Sequence, residues 1–388
     1  MGVPTTMTLR DGKAAECEAV IARFRRTYRR RLRRLATRNE RLGDLITSFP
    51  AAAFAIATEF GARGHRHRAT DLAIEGASLK AIAKACRVPF WMRKLPPEAF
   101  IALLPDDLPA NEAFGQRVIG QMPDDVADVG GWLQGVLAAE RVAGEAVAEW
   151  VAKIPGVGRG GANTAPVELL ALFAWVSVEK PAMAAKLLPG RWNDRMSIGR
   201  AADLTLDWVT AIQSELVMGD AGLRDTWLAG GRAAGYRFVP ITTLSELQAE
   251  AKAMDNCVAS YAPQLIAGQC RLFGIRRGAR RIATLEVRPH PYHDGIPSIV
   301  QLLASENCEA PQHVWAAAFT WLGKQGRYEL PGENDGAASS VDLSTWQQLW
   351  RPYWRQKGSF ALIPEQAGPQ TIANLVRAAH DLSRRANR

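Results

Sequence analysis

Six side chains between positions 257 and 307 carry the chemistry this sequence can offer: Cys257, Tyr261, Thr284, Glu286, Gln301 and Asn307. A thiol is a nucleophile, a carboxylate is a general acid or base, and hydroxyl and amide groups orient a polar ligand. Cys257 and Glu286 are therefore the candidate catalytic residues, with Tyr261, Thr284, Gln301 and Asn307 as candidate pocket lining. The same residues also have a reading without a reaction. A buried Glu286 can accept hydrogen bonds from Tyr261, Gln301 or Asn307, and cysteine is among the most buried residue types, so Cys257 is expected in a core. His313 is the imidazole that can approach Cys257 in space, since none lies near it in sequence.

The elements that must position these groups can be read from periodicity. "TTLSELQAEAKAM" opens with a capping box, Thr243 and Glu246, and carries an apolar stripe through Leu244, Leu247, Ala251 and Met254. "DNCVASYAPQLIAGQC" has the spacing of a second helix, with Gly268 as its C-cap. "RLFGIRR" and "RIATLEVR" flank the short turn "GA" and predict a β-hairpin, and "SIVQLLA" predicts a third strand. Helix 311–325 closes the unit. Alternation along "RIATLEVR" sends Ile282, Thr284, Glu286 and Arg288 to one face and Ala283, Leu285 and Val287 to a core face. The expected fold is α+β: a mainly helical N-terminal region followed by a small α+β domain with a three-stranded antiparallel sheet.

"NCVASYAPQLIAGQC", "ATLEV" after a basic turn, and "IVQLLASEN" together resemble the PcfJ-like proteins of conjugative plasmids, phages and other bacterial mobile elements. The resemblance covers roughly 240–325, and Asn256 stands where a histidine often precedes the cysteine. It implies proximity to DNA-processing systems and no defined reaction, substrate or cofactor.

The net charge of +9 is not spread along the chain. Residues 23–41, "RFRRTYRRRLRRLATRNER", hold ten arginines against one glutamate, and the rest of the chain is balanced. Ile21, Phe24, Tyr28, Leu32 and Leu35 recur at three- and four-residue spacing, which predicts a helix with one apolar stripe on an arginine-coated rod. Arginine at this density repels itself unless an anion is present, and phosphate is the partner guanidinium matches best. Arg23, Arg25, Arg26, Arg29, Arg30, Arg31, Arg33, Arg34 and Arg38 are the candidate nucleic-acid contacts; acidic lipid, an acidic protein or plain solvent are the alternatives.

Other motifs are weaker. "LKAIAKACRVP" resembles the first helix and turn of a helix-turn-helix, with Arg87 in the usual glycine place and "FWM" where base-reading groups would stand. "KIPGVGRGGANTAP" (153–166) lacks a P-loop lysine and fits a glycine-rich linker. His290, His293 and Asp294 fit a surface loop better than a metal site, and no metal or cofactor is expected. Trp346, Trp350 and Trp354 fit a packed helix seam, with base stacking as the alternative. The expected layout is a basic helical arm (1–48), an all-α region (49–235), the α+β domain (236–330) and a mainly helical tail (331–388). Five scattered cysteines without CxxC, no evident leader and no long apolar run make a cytoplasmic chain, uninserted in membrane, the expectation. An enzyme (hydrolase or transferase) and a protein-interaction scaffold remain the rival functions.

Overall fold

The computed structural model describes residues 5–58, 63–156, 164–179, 184–219, 222–223, 226–326, 342–358 and 362–386. The centre of the glycine-rich stretch, 157–163, the start of the tail, 331–341, and the side chain of Asp294 lie outside them.

The chain opens with α1 (Thr5–Arg23), α2 (Arg26–Ala36), α3 (Glu40–Ser48), α4 (Pro50–Ala57), α5 (Arg63–Glu75) and α6 (Leu79–Ala85). It continues through α7 (Glu112–Ile119), α8 (Val126–Ala143), α9 (Glu145–Ala152), α10 (Ala165–Glu179) and α11 (Ile198–Met218). The single helix expected over 23–41 is broken twice. Arg25 leaves the helical region (φ −55°, ψ 135°), and Asn39 accepts from the Arg41 N–H to start α3. Both breaks serve burial. The kink drives Phe24 fully into the core, and the expected stripe then continues through buried Leu32 and Leu35.

One apolar core runs through these helices and takes in α15 (Leu343–Lys357) and α16 (Pro369–Ala386) from the end of the chain. Trp350 packs edge-on against Trp208 with ring centres 5.8 Å apart, and Tyr353 does the same on Trp175 at 5.0 Å. Trp346 is fully buried and donates through Nε1 to Pro364 O. The tail tryptophans thus form a packed seam with Trp346 and Trp350 inside it, and those two rings are not available to bases. No described helix is long and apolar enough to cross a membrane.

The helix-turn-helix resemblance ends after the turn. Arg87 adopts the left-handed conformation (φ 54°) that a glycine would take. The next element is a five-residue 3-10 turn, Phe90–Lys94, with Trp91 and Met92 buried, so no recognition helix follows.

Beyond α11 comes a five-stranded antiparallel meander, not the three strands expected. Its order is β1 (Gly231–Ala233), β2 (Tyr236–Pro240), β3 (Arg271–Arg277), β4 (Arg280–His290) and β5 (His293–Leu303). The two extra strands are joined by Ala234 (φ 47°) and Gly235 (φ 80°), both left-handed, as a tight type I′ hairpin requires. The stretch expected as a loop, 289–297, instead extends β4 and β5 almost to their turn. Between β2 and β3 lies the expected capped helix, α12 (Leu244–Met254); a 3-10 turn (Cys257–Tyr261) and the short α13 (Ala262–Ile266) replace the expected second helix.

The sheet is covered on both faces. Phe238, Phe273, Ala283, Leu285 and Val287 pack against α14 (Gln312–Leu322), where Trp321 stacks on Phe238 at 4.7 Å. Leu272 on the other face packs with Leu247, Val258 and Leu265 from the α12–α13 segment. This second layer holds the polar groups.

Candidate functional site

Two regions bring the sequence's functional candidates together: a polar cleft between β4–β5 and the 3-10 turn, and the arginine face of α2.

The cleft follows from the alternation of β4. Ala283, Leu285 and Val287 are buried in the α14 core, so Thr284, Glu286 and Arg288 point to the opposite face. Gln301 of β5 lies directly across from Glu286. Asn256 starts the 3-10 turn by accepting from the Val258 N–H at 3.2 Å, which sets Cys257 and Tyr261 over the strands. Asn307 enters from the loop after β5, where Glu306 (φ 57°) and Asn307 (φ 56°) are both left-handed. Cys257, Tyr261, Thr284, Glu286, Gln301 and Asn307 all line this one cleft, which has about 20 Å³ of space, enough for one water.

Glu286 is the buried centre, 4% exposed. Arg288 Nε donates to its Oε1 at 2.5 Å. The Tyr261 hydroxyl stands 3.2 Å from Glu286 Oε2 and 3.2 Å from Gln301 Oε1. It has a single hydrogen and gives it to the carboxylate, the stronger acceptor. Burial first, then the Glu286 charge, raises the Tyr261 pKa.

Cys257 is not the core plug expected: its side chain is exposed. The sequence shows a small residue at a helix start, but not that the second helix is only a 3-10 turn at the rim of the sheet. Its Sγ is 3.9 Å from Asn307 Oδ1, an amide that cannot take a proton. His313 is on α14, stacked on Tyr236 across the sheet from the cleft, and cannot act as base for Cys257. The cleft therefore has a thiol at its rim and a carboxylate already held by two donors. It suits binding of a small polar group better than proton transfer.

Glu250 was missed from the sequence although its position shows it. It sits between Leu247 and Met254 on the buried stripe of α12 and is 1% exposed. Its carboxylate accepts from Arg281 Nε at 2.8 Å and from Thr284 Oγ1 at 3.2 Å. Thr284 Oγ1 in turn accepts from Asn256 Nδ2 at 3.3 Å, so Asn256 has a positioning role of its own. Among the described residues no group of three or more His, Cys, Asp or Glu side chains could hold a metal; His290 and His293 face each other across a strand pair, with rings 4.8 Å apart.

The nine candidate arginines on and around α2 divide into two sets. Arg23 forms a two-pronged pair with Glu98 at 2.8 and 3.0 Å, and Arg33 pairs with Glu18. Arg25 donates to Ile101 O at 2.6 Å and Arg29 to Phe24 O at 2.8 Å. Arg26, Arg30, Arg31, Arg34 and Arg38 are exposed, and their side chains bond to nothing among the described residues. Arg26, Arg30 and Arg34 fall at four-residue spacing on the side of α2 away from Leu32 and Leu35. They form a row roughly 12 Å long with a charge about every 6 Å.

No curated protein and no solved structure matches this chain. Residues 230–314, from the start of the sheet into the first turn of α14, match the family model of the PcfJ-like proteins.

Proposed function

We propose that this protein binds nucleic acid through the arginine face of α2. One observation carries the reading: among the described residues no carboxylate pairs with the five exposed guanidinium groups of the arginine run, while Arg23, Arg25, Arg29 and Arg33 fasten the helix to its neighbours. A merely solvated helix surface has no need of like charges at adjacent four-residue positions, which repel each other. A phosphate backbone supplies the missing counter-charge at matching intervals. The PcfJ-like segment adds a setting: the resemblance to proteins of plasmids and phages makes DNA the expected polymer and an accessory role in a mobile element the expected context.

The test is the salt dependence of binding to a labelled duplex. Each phosphate contact contributes about 0.9 to the slope of log affinity against log salt, so Arg26→Gln, Arg30→Gln and Arg34→Gln together should flatten it by about 2.7. The affinity lost on a fourfold rise in salt then shrinks by about 40-fold. Replacing Arg23 and Arg33 should leave the slope nearly unchanged. Equal slopes for the two variants would remove the proposal.

A second reading, an enzyme of hydrolase or transferase type, rests on the convergence of Cys257, Glu286 and four other polar groups on one cleft. It uses Cys257 or Glu286, and the Cys257 version requires the thiol to react as a thiolate near neutral pH. Alkylation that rises only through the ordinary thiol range would leave it without support.

A further inference from the structure

The sheet carries a second concentration of positive charge that the α2 reading does not use. Arg232 pairs across the strands with Arg237, Arg237 with Arg276, and Arg276 with Arg281. Residues directly opposite one another share a face, so these four arginines form one unbroken row over β1, β2, β3 and β4. At about 4.8 Å between strands, the row is roughly 14 Å long. Like charges directly opposite each other destabilise a sheet, and here three such pairs follow in succession.

The compensation inside the protein is small. Among the described residues only Arg281, at the β4 end, pairs with a carboxylate, that of Glu250. Arg232 and Arg237 are exposed and, among the described residues, bond to nothing through their side chains. The Nε of Arg276 is buried and has no hydrogen-bond partner among the described residues. A guanidinium nitrogen left in this state is costly unless a ligand satisfies it. Alternation explains why the row survives: Ala233, Tyr236, Phe238 and Ile275 fill the α14 core from the other face, so the arginines project away from it.

We propose that this arginine row is a phosphate-binding face and that its occupant is a nucleic-acid backbone. Guanidinium pairs with phosphate oxygens in a two-pronged geometry, and several charges in line fit a polymer of regularly spaced phosphates. The proposal rests on the nucleic-acid reading above and adds a contact made by the PcfJ-like segment itself, which contains all four residues.

The test compares binding of a fluorescent single-stranded oligonucleotide by the wild-type chain, Arg232→Gln/Arg237→Gln/Arg276→Gln, the α2 variant, and their combination. The sheet variant should lower the salt slope by about 2, from roughly 0.7 per phosphate on a single strand, and weaken binding about tenfold or more at ~0.1 M salt. Replacing the same three residues by lysine keeps the charge and should restore most of the slope, which separates lost contacts from misfolding. An unchanged slope in the sheet variant, with a reduced one in the α2 variant, overturns this inference and leaves the α2 reading standing. The reverse pattern supports the sheet face and removes the α2 reading. Capture by polyglutamate as tight as by the oligonucleotide overturns the assignment to phosphate.

Discussion

Breaking the Glu250–Arg281 pair from either side gives unequal costs, and the inequality can be worked out from burial. Glu250 is 1% exposed in its side chain and Arg281 31%. In Glu250→Ala, Arg281 loses its 2.8 Å bond but turns to water, so the cost is the lost charge-assisted bond, about 1.5–3 kcal/mol. Thr284 keeps Asn256 as a partner. The vacated space lies against Gly274, where a Cβ would meet the carboxylate at 3.2 Å, and a cavity there adds about 1 kcal/mol. The total is about 2–4 kcal/mol. In Arg281→Gln the carboxylate stays in the interior with the Thr284 hydroxyl as its remaining partner, and a stranded buried charge costs about 3–5 kcal/mol. The more exposed partner is thus the more costly to remove. With both changes made, the loss should fall back near that of Glu250→Ala alone, a coupling about as large as the Arg281→Gln cost, about 3–5 kcal/mol. Urea denaturation followed by tryptophan fluorescence reads this, since Trp321 sits in the core of the sheet. At m about 1–3 kcal/mol/M, a loss of about 3 kcal/mol moves the midpoint by about 1–3 M. Additive costs, or an Arg281→Gln protein within about 0.5 kcal/mol of wild type, would refute the reasoning.

Three further outcomes follow from the structure. Of the five cysteines, Cys257 and Cys308 are exposed, while burial pushes the Cys86 and Cys270 thiols up to about 11. A disulfide reagent near pH 8 should therefore titrate two thiols quickly in the folded protein and one after Cys257→Ser; three or more fast thiols would contradict the packing. Glu286→Gln removes a negative charge beside Tyr261, so the raised phenol pKa should fall toward its ordinary value. An ultraviolet titration, taken as the difference from Tyr261→Phe, should show it, and no shift would mean that the 3.2 Å contact is not made in solution. Arg87→Gly relieves a left-handed residue whose side chain is exposed and should stabilise by about 0.5–1 kcal/mol. A loss of stability by thermal melting would show that the Arg87 side chain matters more than its backbone.

The polar cleft was legible because β4 alternates cleanly: once Ala283, Leu285 and Val287 are recognised as core, Thr284 and Glu286 must share the other face. Gln301 depended on register, and the structure pairs it with Glu286. The hairpin of β1 and β2 was not legible. Its turn, Ala234–Gly235, lacks the Asn-Gly or Asp-Gly signal, and its first strand has three residues. The arginine row across four strands could not be seen without that hairpin. On α2 the sequence shows where the charge is but not which arginines are free, because the partners Glu98, Ile101 and Glu18 come from elsewhere in the chain. Cys257 was misplaced for a similar reason, since helical spacing does not distinguish a buried helix from a short 3-10 turn at a rim.

Arginine-directed chemical modification, mapped by mass spectrometry with and without saturating nucleic acid, tests the central claim most directly. Arg26, Arg30 and Arg34 should be modified readily in the free protein and protected in the complex, while Arg23 and Arg33, held by glutamates, change little. Equal modification of Arg26, Arg30 and Arg34 in both states, with binding saturated, would contradict the account.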